Sequence, residues 1–271
     1  TWCKQHVPNP VVVLGRDGRV TGPLCSSIVS STLRSVGCDV IDAGLASTPT
    51  VEMAVLKEAA AGGIIVSASH NPEEWNALKL LNSKGEFLSP EEAKDVIAMS
   101  ESGVADYVSF DQVGSYSENS NLTYHIDRNQ YLPFNDRAAI ENRDFKYVVD
   151  GINSVGGIAI PELLRRRGVR EDNIVCSNCE PSGRFAHPAE PLPDHLTETC
   201  QLVLESGADL GIVVDPDADR LALIENGGRY VSEELTQVIA ADFLWRIRPG
   251  TFVTNLSSSR AIEDVATRYG M

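Results

Sequence analysis

The sequence has no long apolar run and no excess of positive charge. Of its 271 residues 42% are hydrophobic, and no apolar segment approaches the ~20 residues that a membrane-spanning helix needs. The formal net charge of −15 disfavours binding to nucleic acid or to an anionic membrane, because both would repel the chain. We therefore predict a soluble, globular protein without a nucleic-acid or membrane partner, in which a few placed cations would hold any anionic ligand.

Cysteines are few and mostly isolated. Only Cys176 and Cys179 among the six are close in sequence, and a structural zinc site would need a second such pair or closely spaced histidines. Free thiols in a reducing compartment are the simpler interpretation. No secretory signal is visible, although a chain that begins at Thr1 is expected to lack its natural start. These features predict a cytoplasmic protein.

The signatures of several enzyme classes are also missing. No Gly-x4-Gly-Lys-Ser/Thr motif is present, which excludes a P-loop nucleotide site. The glycines of residues 151–157 do not match Gly-x-Gly-x-x-Gly and are more typical of a packing turn. No Gly-x-Ser-x-Gly elbow surrounds Ser69, so acyl transfer by that serine is disfavoured.

Short apolar segments alternate with segments of helical spacing. In the first part of the chain the predicted strands are 11–14, 39–41, 63–66 and 78–81, and the predicted helices are 24–36, 50–60 and 90–100. This alternation is typical of a parallel sheet with helices on its faces. Residues 103–142 are polar and show no sustained apolar period, so we place a domain boundary near residue 135.

A second alternation begins near residue 147. Its predicted strands are 147–150, 173–176, 209–214 and 221–224, and helices follow the 151–157 turn and cover 195–205; a helix at 233–245, a strand at 251–254 and a helix at 259–269 come last. The single strand predicted after residue 231 is too little sheet for that last segment to bury a core of its own. We predict an α/β protein with two consecutive domains, 1–135 and 136–230, whose mixed, mostly parallel sheets are flanked by helices. Residues 231–271 would begin a third, similar domain.

One hydroxyl is predicted to stand out at the end of a strand. An apolar segment runs directly into Ser67-Ala68-Ser69-His70-Asn71-Pro72, where the Ser69 hydroxyl is the best candidate for a reacting atom. The alternative is an ordinary turn or helix-capping serine. His70 is either a loop histidine or a donor to a phosphate. Lys79 either extends from a strand into solvent or returns to the same cleft as Ser69.

Three carboxylates follow another predicted strand. Like charges at Asp215, Asp217 and Asp219 repel one another unless a cation neutralises them, although a solvated acidic turn is the alternative. A calcium-binding EF-hand would need Gly and Glu where the chain has Arg220 and Asn226. Oxygen ligands of this kind fit magnesium better. Phosphatases with a nucleophilic aspartate usually carry Thr or Val at the position of Asp219, which weakens that interpretation.

Both groups directly follow predicted strands. Ligands of parallel sheets gather at the carboxyl ends of the strands, so Ser69 and Asp215 are expected to face a common cleft. A hydroxyl, a cage for a hard cation and the guanidinium of Arg220 together indicate phosphoryl transfer.

The two loops closely resemble the phosphoserine loop and the metal loop of the α-D-phosphohexomutases, the family of phosphoglucomutase, phosphomannomutase and phosphoglucosamine mutase. The supporting matches are Gly15-Arg16-Asp17-Gly18-Arg19, Thr48-Pro49-Thr50, Trp75-Asn76-Ala77-Leu78-Lys79, Asp150-Gly151-x-Asn153-x-x-Gly156 and residues 254–266. They span nearly the whole chain in the expected order. Ala77 and Pro216 stand where many members have glycine, which removes no functional group.

The resemblance implies a role for each candidate residue. Ser69 would be the phosphorylated serine, and one oxygen of its phosphate would bind Mg²⁺ together with Asp215, Asp217 and Asp219. Further implied roles are a phosphate clamp for Arg220, a general acid or base for Lys79, a place beside the phosphoserine for His70, and phosphate or substrate contacts for Arg16 and Asn71.

The family's activity is the interconversion of hexose 1-phosphate and hexose 6-phosphate, with a bisphosphorylated sugar as intermediate and a hexose bisphosphate as activator. The implied partner is a small sugar phosphate, with glucosamine or mannose phosphates favoured over glucose phosphate. Family members have four domains around one cleft, so a chain without most of the third and all of the fourth should hold the chemistry and show little turnover. The alternatives are a non-catalytic module that binds phosphosugars and a magnesium-dependent phosphatase.

Overall fold

Two five-stranded sheets with flanking helices make up most of the computed structural model of this protein, which describes residues 2–103 and 105–271. The strands of the first sheet are β1 (Val11–Arg16), β2 (Asp39–Leu45), β3 (Gly62–Val66), β4 (Leu78–Leu81) and β5 (Tyr116–Glu118). The helices of this part are α1 (Trp2–His6), α2 (Gly22–Ser35), α3 (Thr48–Lys57), α4 (Pro90–Ser102), α5 (Leu122–Gln130) and α6 (Arg137–Arg143).

The second sheet and the end of the chain contribute the remaining elements. The strands are β6 (Tyr147–Asp150), β7 (Ile174–Ser177), β8 (Leu210–Val214), β9 (Leu221–Glu225) and β10 (Arg229–Val231), and the helices are α7 (Gly156–Arg166), α8 (Thr197–Ser206), α9 (Thr236–Ile247) and α10 (Ala261–Arg268). Short 3-10 helices cover Phe110–Gln112, Glu171–Asn173, Pro193–His195 and Glu233–Leu235. Among the described helices, none combines the length and the apolar character needed to cross a bilayer.

The first sheet has the strand order β4-β3-β1-β2-β5, and only the pairing of β4 with β3 is antiparallel. Its two faces are apolar because alternate residues of β1 point to opposite sides. Val13 packs with Val51 and Val55 of α3, whereas Leu14 belongs to the cluster that Val29 of α2 contacts. One helix therefore covers each face, as the alternating pattern predicts.

The second sheet has the order β10-β9-β8-β6-β7, with parallel pairs around β6 and antiparallel pairs from β8 to β10. Val148 packs with Val203 of α8 on one face, and Val149 packs with Leu164 of α7 on the other. The prediction of an α/β fold with mixed sheets flanked by helices is confirmed.

Two local predictions are wrong. The described structure has no strand over residues 251–254, because no neighbouring strand is there to supply hydrogen bonds; Val253 is exposed, and α9 packs directly against α10 around Trp245 and Ile262. Conversely, residues 103–142 contain β5, α5 and α6, where we predicted no element. These elements are mostly exposed, so their sequences carry little apolar periodicity. The proposed domain boundaries near residues 135 and 230 stay a prediction.

Candidate active site

Two loops, one from each sheet, meet beyond the carboxyl ends of their strands. Ser69 follows β3 and Asp215 follows β8, and the Ser69 hydroxyl donates to Oδ2 of Asp215 at 3.0 Å. Thr48, the first residue of α3, donates from its hydroxyl to the Asp217 carboxylate and from its backbone N–H to the Asp217 carbonyl at 2.9 Å. Chain positions nearly 150 residues apart are therefore in direct contact.

A second contact joins the Asp215 loop to another loop of the first sheet, the one that follows β1. The backbone N–H of Gly18, in the loop after β1, donates to the Ser154 hydroxyl at 2.8 Å. That hydroxyl in turn donates to the carbonyl of Pro216. Because Ser154 is fully buried, solvent does not compete for these bonds. The relative position of the two loops thus depends on a serine that the sequence pattern did not single out.

The three aspartates form a cluster that fits a divalent cation. Asp215, Asp217 and Asp219 each offer a carboxylate oxygen, and these atoms lie within 4.8 Å of one another. Burial and the two neighbouring carboxylates raise the pKa of Asp215 to about 7. Oδ1 of Asp217 is buried and has no hydrogen-bond partner in the described part of the chain. A buried carboxylate oxygen without a hydrogen-bond partner, in a cluster of three carboxylates, is a suitable ligand for Mg²⁺.

Lys79 provides the positive charge at this cluster. It lies on β4, which runs antiparallel to β3 and so returns the chain to the edge of the sheet where Ser69 lies. Its Nζ contacts Oδ2 of Asp217 and lies 2.7 Å from Oδ2 of Asp219. Burial opposes the charge on Lys79, but the two carboxylates outweigh burial and raise its pKa. The ammonium group therefore occupies oxygens that a bound cation would also use.

His70 and Arg220 lie on either side of the Ser69–Asp215 contact. Nδ1 of His70 is 3.4 Å from the Ser69 hydroxyl oxygen. The backbone N–H of Arg220 donates to Asp215 at 3.0 Å, and its guanidinium donates to the Glu190 carboxylate at 3.3 Å. The Arg220 side chain is half-buried and is held by a single carboxylate, so it could turn to a phosphate on Ser69.

The other two predicted contacts have different surroundings. Asn71 donates from its side chain to the Ala68 carbonyl at 2.8 Å and thereby shapes the Ser69 loop from within. Arg16 donates to the Asp17 carbonyl at 3.2 Å and lines a separate cavity beside α2. The structure thus brings together Ser69, His70, Lys79, Arg220 and the three aspartates, whereas the side chains of Asn71 and Arg16 make other contacts.

Arg19 is a functional residue that the sequence analysis missed. Its guanidinium is fully buried, and Nε donates to Oδ2 of Asp17 at 2.9 Å. Its terminal nitrogens donate to four carbonyls of the Ser69 loop, those of Ser69 at 2.6 Å, Asn71 at 2.8 Å, Trp75 at 3.1 Å and Pro72. All five N–H groups of the guanidinium are therefore used. The sequence contained one signal for this role: Asp17 and Arg19, which carry opposite charges, lie two residues apart in the loop after a buried strand.

This network holds Ser69 in an unfavourable backbone conformation. The residue has a φ of +50°, a region that costs a non-glycine residue about 1–3 kcal/mol unless its surroundings enforce it. Besides Arg19, the Ser67 hydroxyl enforces it by donating to Asp17 at 2.8 Å and accepting from the Ser69 N–H at 2.9 Å. Ala218 in the opposing loop has a φ of +53°. Strained residues in both loops are typical of a functional site.

Comparison with known proteins agrees with this geometry. The family model described as "Phosphoglucomutase/phosphomannomutase, alpha/beta/alpha domain I" matches residues 1–105, and that for domain II matches residues 126–228. A phosphoglucomutase/phosphomannomutase of Thermococcus kodakarensis is 35% identical over 265 residues, which are 96% of this chain and 57% of that protein. A Methanopyrus kandleri protein that bears the name phosphoglucosamine mutase is 29% identical over 269 residues, 98% of this chain and 58% of its own.

Solved structures show the same fold. A Thermus thermophilus crystal structure named for phosphomannomutase superposes with a TM-score of 0.83 at 24% identity and covers 99% of this chain and 60% of that one. The chain thus spans little more than half the length of the curated relatives that it matches. On the two matching domain models and these relatives, the chain belongs to the phosphoglucomutase/phosphomannomutase family, the α-D-phosphohexomutases.

Proposed function

We propose that this chain carries the phosphoryl-transfer groups of a phosphohexomutase, which interconverts hexose 1-phosphate and hexose 6-phosphate. Phosphorylated Ser69 would donate its phosphoryl group and a bisphosphorylated sugar would be the intermediate, with a hexose bisphosphate as activator. The observation that carries the proposal is the 3.0 Å hydrogen bond between Ser69 and Asp215, which sets a hydroxyl against a cluster of three carboxylates. The relatives' names, all of mutases, support the same reaction.

Magnesium is the proposed cofactor. Asp215, Asp217 and Asp219 would hold it together with an oxygen of the phosphate on Ser69, and the unpaired Oδ1 of Asp217 supports this assignment. The bound ion would supply positive charge against the carboxylates and against the phosphoserine, which carries about −1.5 to −2 near neutral pH.

The chain's own side chains would divide the remaining work. As the bond between phosphorus and Ser69 Oγ breaks and a bond to the sugar oxygen forms, Lys79 would take the proton of the incoming hydroxyl. For this, Lys79 must first become a neutral amine: its ammonium would be displaced by Mg²⁺ on the aspartates from the two carboxylates that raise its pKa, and its proton would pass to solvent. His70, 3.4 Å from Ser69, is in reach to return a proton to the freed serine oxygen. Arg220 would turn from Glu190 to the phosphate.

The first test uses the full-length protein with Mg²⁺, a hexose 1-phosphate and a trace of hexose bisphosphate. Ser69→Ala should reduce turnover to background, because the substitution removes the oxygen that would carry the phosphoryl group. Ser83→Ala, in an exposed turn, is the matched control and should keep the wild-type rate. Turnover that survives in Ser69→Ala would refute the proposal.

The second test uses this chain alone. After incubation with hexose bisphosphate, intact-mass measurement should find one phosphate, mapping to Ser69. An unmodified chain would favour a non-catalytic phosphosugar-binding module, and stoichiometric release of inorganic phosphate would favour a phosphatase. We expect little or no mutase turnover from the chain alone.

Two finer assignments belong to the same proposal. The relatives named for phosphomannomutase and phosphoglucosamine mutase support mannose or glucosamine phosphate as the substrate. We also propose a cytoplasmic location, in keeping with the isolated cysteines, which are all free thiols in the described structure. Competition assays with the three hexose phosphates and cell fractionation would test these assignments.

A further inference from the structure

A cavity of about 660 Å³ lies beside α2, apart from the residues that join Ser69 to Asp215. Its volume is within the ~300–1,000 Å³ typical of small-molecule sites. One face of α2 forms one wall, and the ends of β1, β2 and β5 form the other. Its principal residues are Arg16, Ser26, Ser30, Arg34, Asp42 and Tyr116. Charged and hydroxyl side chains lie on both walls, between the apolar Pro23 and Ala43.

Two serines of this wall are buried without a protein partner. Ser26 and Ser30 are only 6% and 7% exposed. They lie one helical turn apart on α2, so both line the cavity from the same side. In the described part of the chain neither hydroxyl makes a hydrogen bond, although most buried hydroxyls have a partner. A ligand with hydroxyl or phosphate oxygens would satisfy both.

One end of the cavity is positively charged. The Arg16 side chain lies against the start of α2, with its Cδ 3.5 Å from where a Cβ on Gly22 would be. Its guanidinium donates only to the Asp17 carbonyl among the described residues, which leaves most of its N–H groups open to the cavity. The positive end of the α2 dipole points to the same place. This end is suited to a phosphate group.

The wall beyond Arg16 combines acids that are already hydrogen-bonded, and one of them, Asp42, lies near enough to Arg16 to oppose the lowering of its pKa by burial. Asp42 accepts from the Gly44 N–H at 2.7 Å and from the Tyr116 hydroxyl at 2.9 Å, and the same hydroxyl lies 3.2 Å from Glu118. Burial and both acids raise the pKa of Tyr116 to about 12, so its hydroxyl remains a donor. Arg34 lies over the Tyr116 ring at 5.9 Å. Partly engaged carboxylates beside an aromatic ring are suited to sugar hydroxyls.

We propose that this cavity is a second binding site, for a sugar monophosphate, with the phosphate at Arg16 and the hydroxyls of the sugar at Ser26, Ser30 and Asp42. The predicted phosphate contact of Arg16 would thus belong to this site and not to the Ser69 cleft. The inference does not rest on the proposed mutase reaction, because binding here needs neither Ser69 nor a metal ion.

The test is titration calorimetry of this chain without divalent cations. The chain carries Arg220→Gln, so that phosphate binding in the Ser69 cleft is weakened. Glucose 6-phosphate should bind at least tenfold more tightly than inorganic phosphate or glucose, because each of these fills only one end. Arg16→Gln should weaken glucose 6-phosphate at least tenfold, whereas Arg16→Lys should retain part of the affinity. Asp42→Asn should weaken glucose 6-phosphate but not inorganic phosphate, because it removes a contact to the sugar and a negative charge near Arg16.

Hydrogen exchange shows where the ligand binds. It needs no Arg16 variant, so it tests the proposal even if such a variant folds poorly. In the Arg220→Gln protein, whose cavity residues are unchanged, glucose 6-phosphate should slow hydrogen exchange along α2 and β5. Protection confined to residues 67–79 and 215–220 would place the ligand in the Ser69 cleft and overturn the proposal. Equal affinity for inorganic phosphate and glucose 6-phosphate would also overturn it, since it would indicate an anion site without sugar contacts.

Discussion

The first strand of each sheet leads to a buried aspartate, but the two aspartates have different cationic partners. Asp17 directly follows β1 and pairs with Arg19 at 2.9 Å, and both side chains are fully buried. Asp150 ends β6, and its Oδ2 lies 3.2 Å from Nε2 of His187. At the same position in the topology, one unit therefore has a cation of permanent charge and the other has a titratable one.

The difference determines which loop depends on pH. Arginine remains charged throughout the physiological range, so the Ser69 loop keeps its support. Both ring nitrogens of His187 face acceptors, Asp150 on one side and the Pro188 carbonyl at 2.9 Å on the other, an arrangement that favours the imidazolium form. Burial opposes that charge, but the contacts with Asp150 outweigh burial and raise the pKa of His187.

The aspartates themselves shift in opposite directions. Burial raises the pKa of Asp17, against the opposing effects of Arg19 and Ser67. Burial also acts on Asp150, but hydrogen bonds from His187, Thr199 and a backbone N–H outweigh it and lower the pKa. Both loops are strained, since Ile152 and Asn153 after β6 have φ values of +46° and +52°. The comparison therefore teaches that the two units differ in the kind of cation that supports the loop, and not in the strain that the loop carries.

The largest effect is expected from Arg19→Met. The substitution removes the guanidinium that pairs with the Asp17 carboxylate and donates to four loop carbonyls, and breaking a buried pair in this way costs about 3–5 kcal/mol. Urea unfolding should show this loss, and hydrogen exchange should become fast over residues 67–76. A loss below about 1 kcal/mol would show that the loop does not depend on the guanidinium.

The second prediction concerns the metal loop, which has no buried arginine of its own. Mg²⁺ at a hundredfold excess over its dissociation constant at about pH 8 should stabilise the chain there by about 2.7 kcal/mol. At the same Mg²⁺ concentration the gain should be smaller at about pH 5.5, because Asp215, with a pKa of about 7, must lose its proton to bind the ion. Thermal unfolding with and without Mg²⁺ measures both effects.

Asp217→Asn is the control for this prediction, since it removes a carboxylate whose Oδ1 has no partner in the described structure. The gain from Mg²⁺ should then disappear at either pH. A gain that is equal at both pH values in the wild type would contradict the role assigned to Asp215.

His187→Gln tests the titratable pair and should cost about 1.5 kcal/mol where the ring is charged. A raised folded pKa means that the stabilisation is complete below the unfolded value of about 6.5 and is lost as pH rises through the folded value. The lowered pKa of Asp150 sets the other limit, because its contribution is lost as pH falls below about 4. Urea unfolding from acid to alkaline pH should therefore show a difference from wild type that shrinks above neutrality.

The smallest effect is expected for an exposed pair with the same chemistry. Arg137 and Glu141 lie one turn apart on α6 at 2.7 Å, and both side chains are largely exposed. Arg137→Met should cost only about 0.3–0.5 kcal/mol, because solvent screens such a pair. The same urea measurement provides the matched control for Arg19→Met. A cost of several kcal/mol here would mean that burial does not explain the difference between the pairs.

Buried strands and their loops were the most predictable parts of this protein. Residues 147–150 coincide with β6, because their apolar pattern reflects burial that the strand itself experiences. Residues 78–81 coincide with β4, although only Leu81 of that strand is buried. The strand predicted at 251–254 is wrong for the complementary reason, since a strand forms only where a neighbour accepts its hydrogen bonds. β5 was missed because a three-residue edge strand with exposed side chains carries no such pattern.

The sequence by itself determined the element types, the family and the two loops that carry the hydroxyl and the carboxylates, because each of these is encoded in adjacent residues. Only the tertiary structure decided that Arg19 holds the Ser69 loop and that Lys79 pairs with the aspartates. It also placed Arg16 in a different cavity from the site predicted for it. Contacts between distant residues depend on how the strands are ordered and how the two sheets meet, and no local pattern of residues records that arrangement.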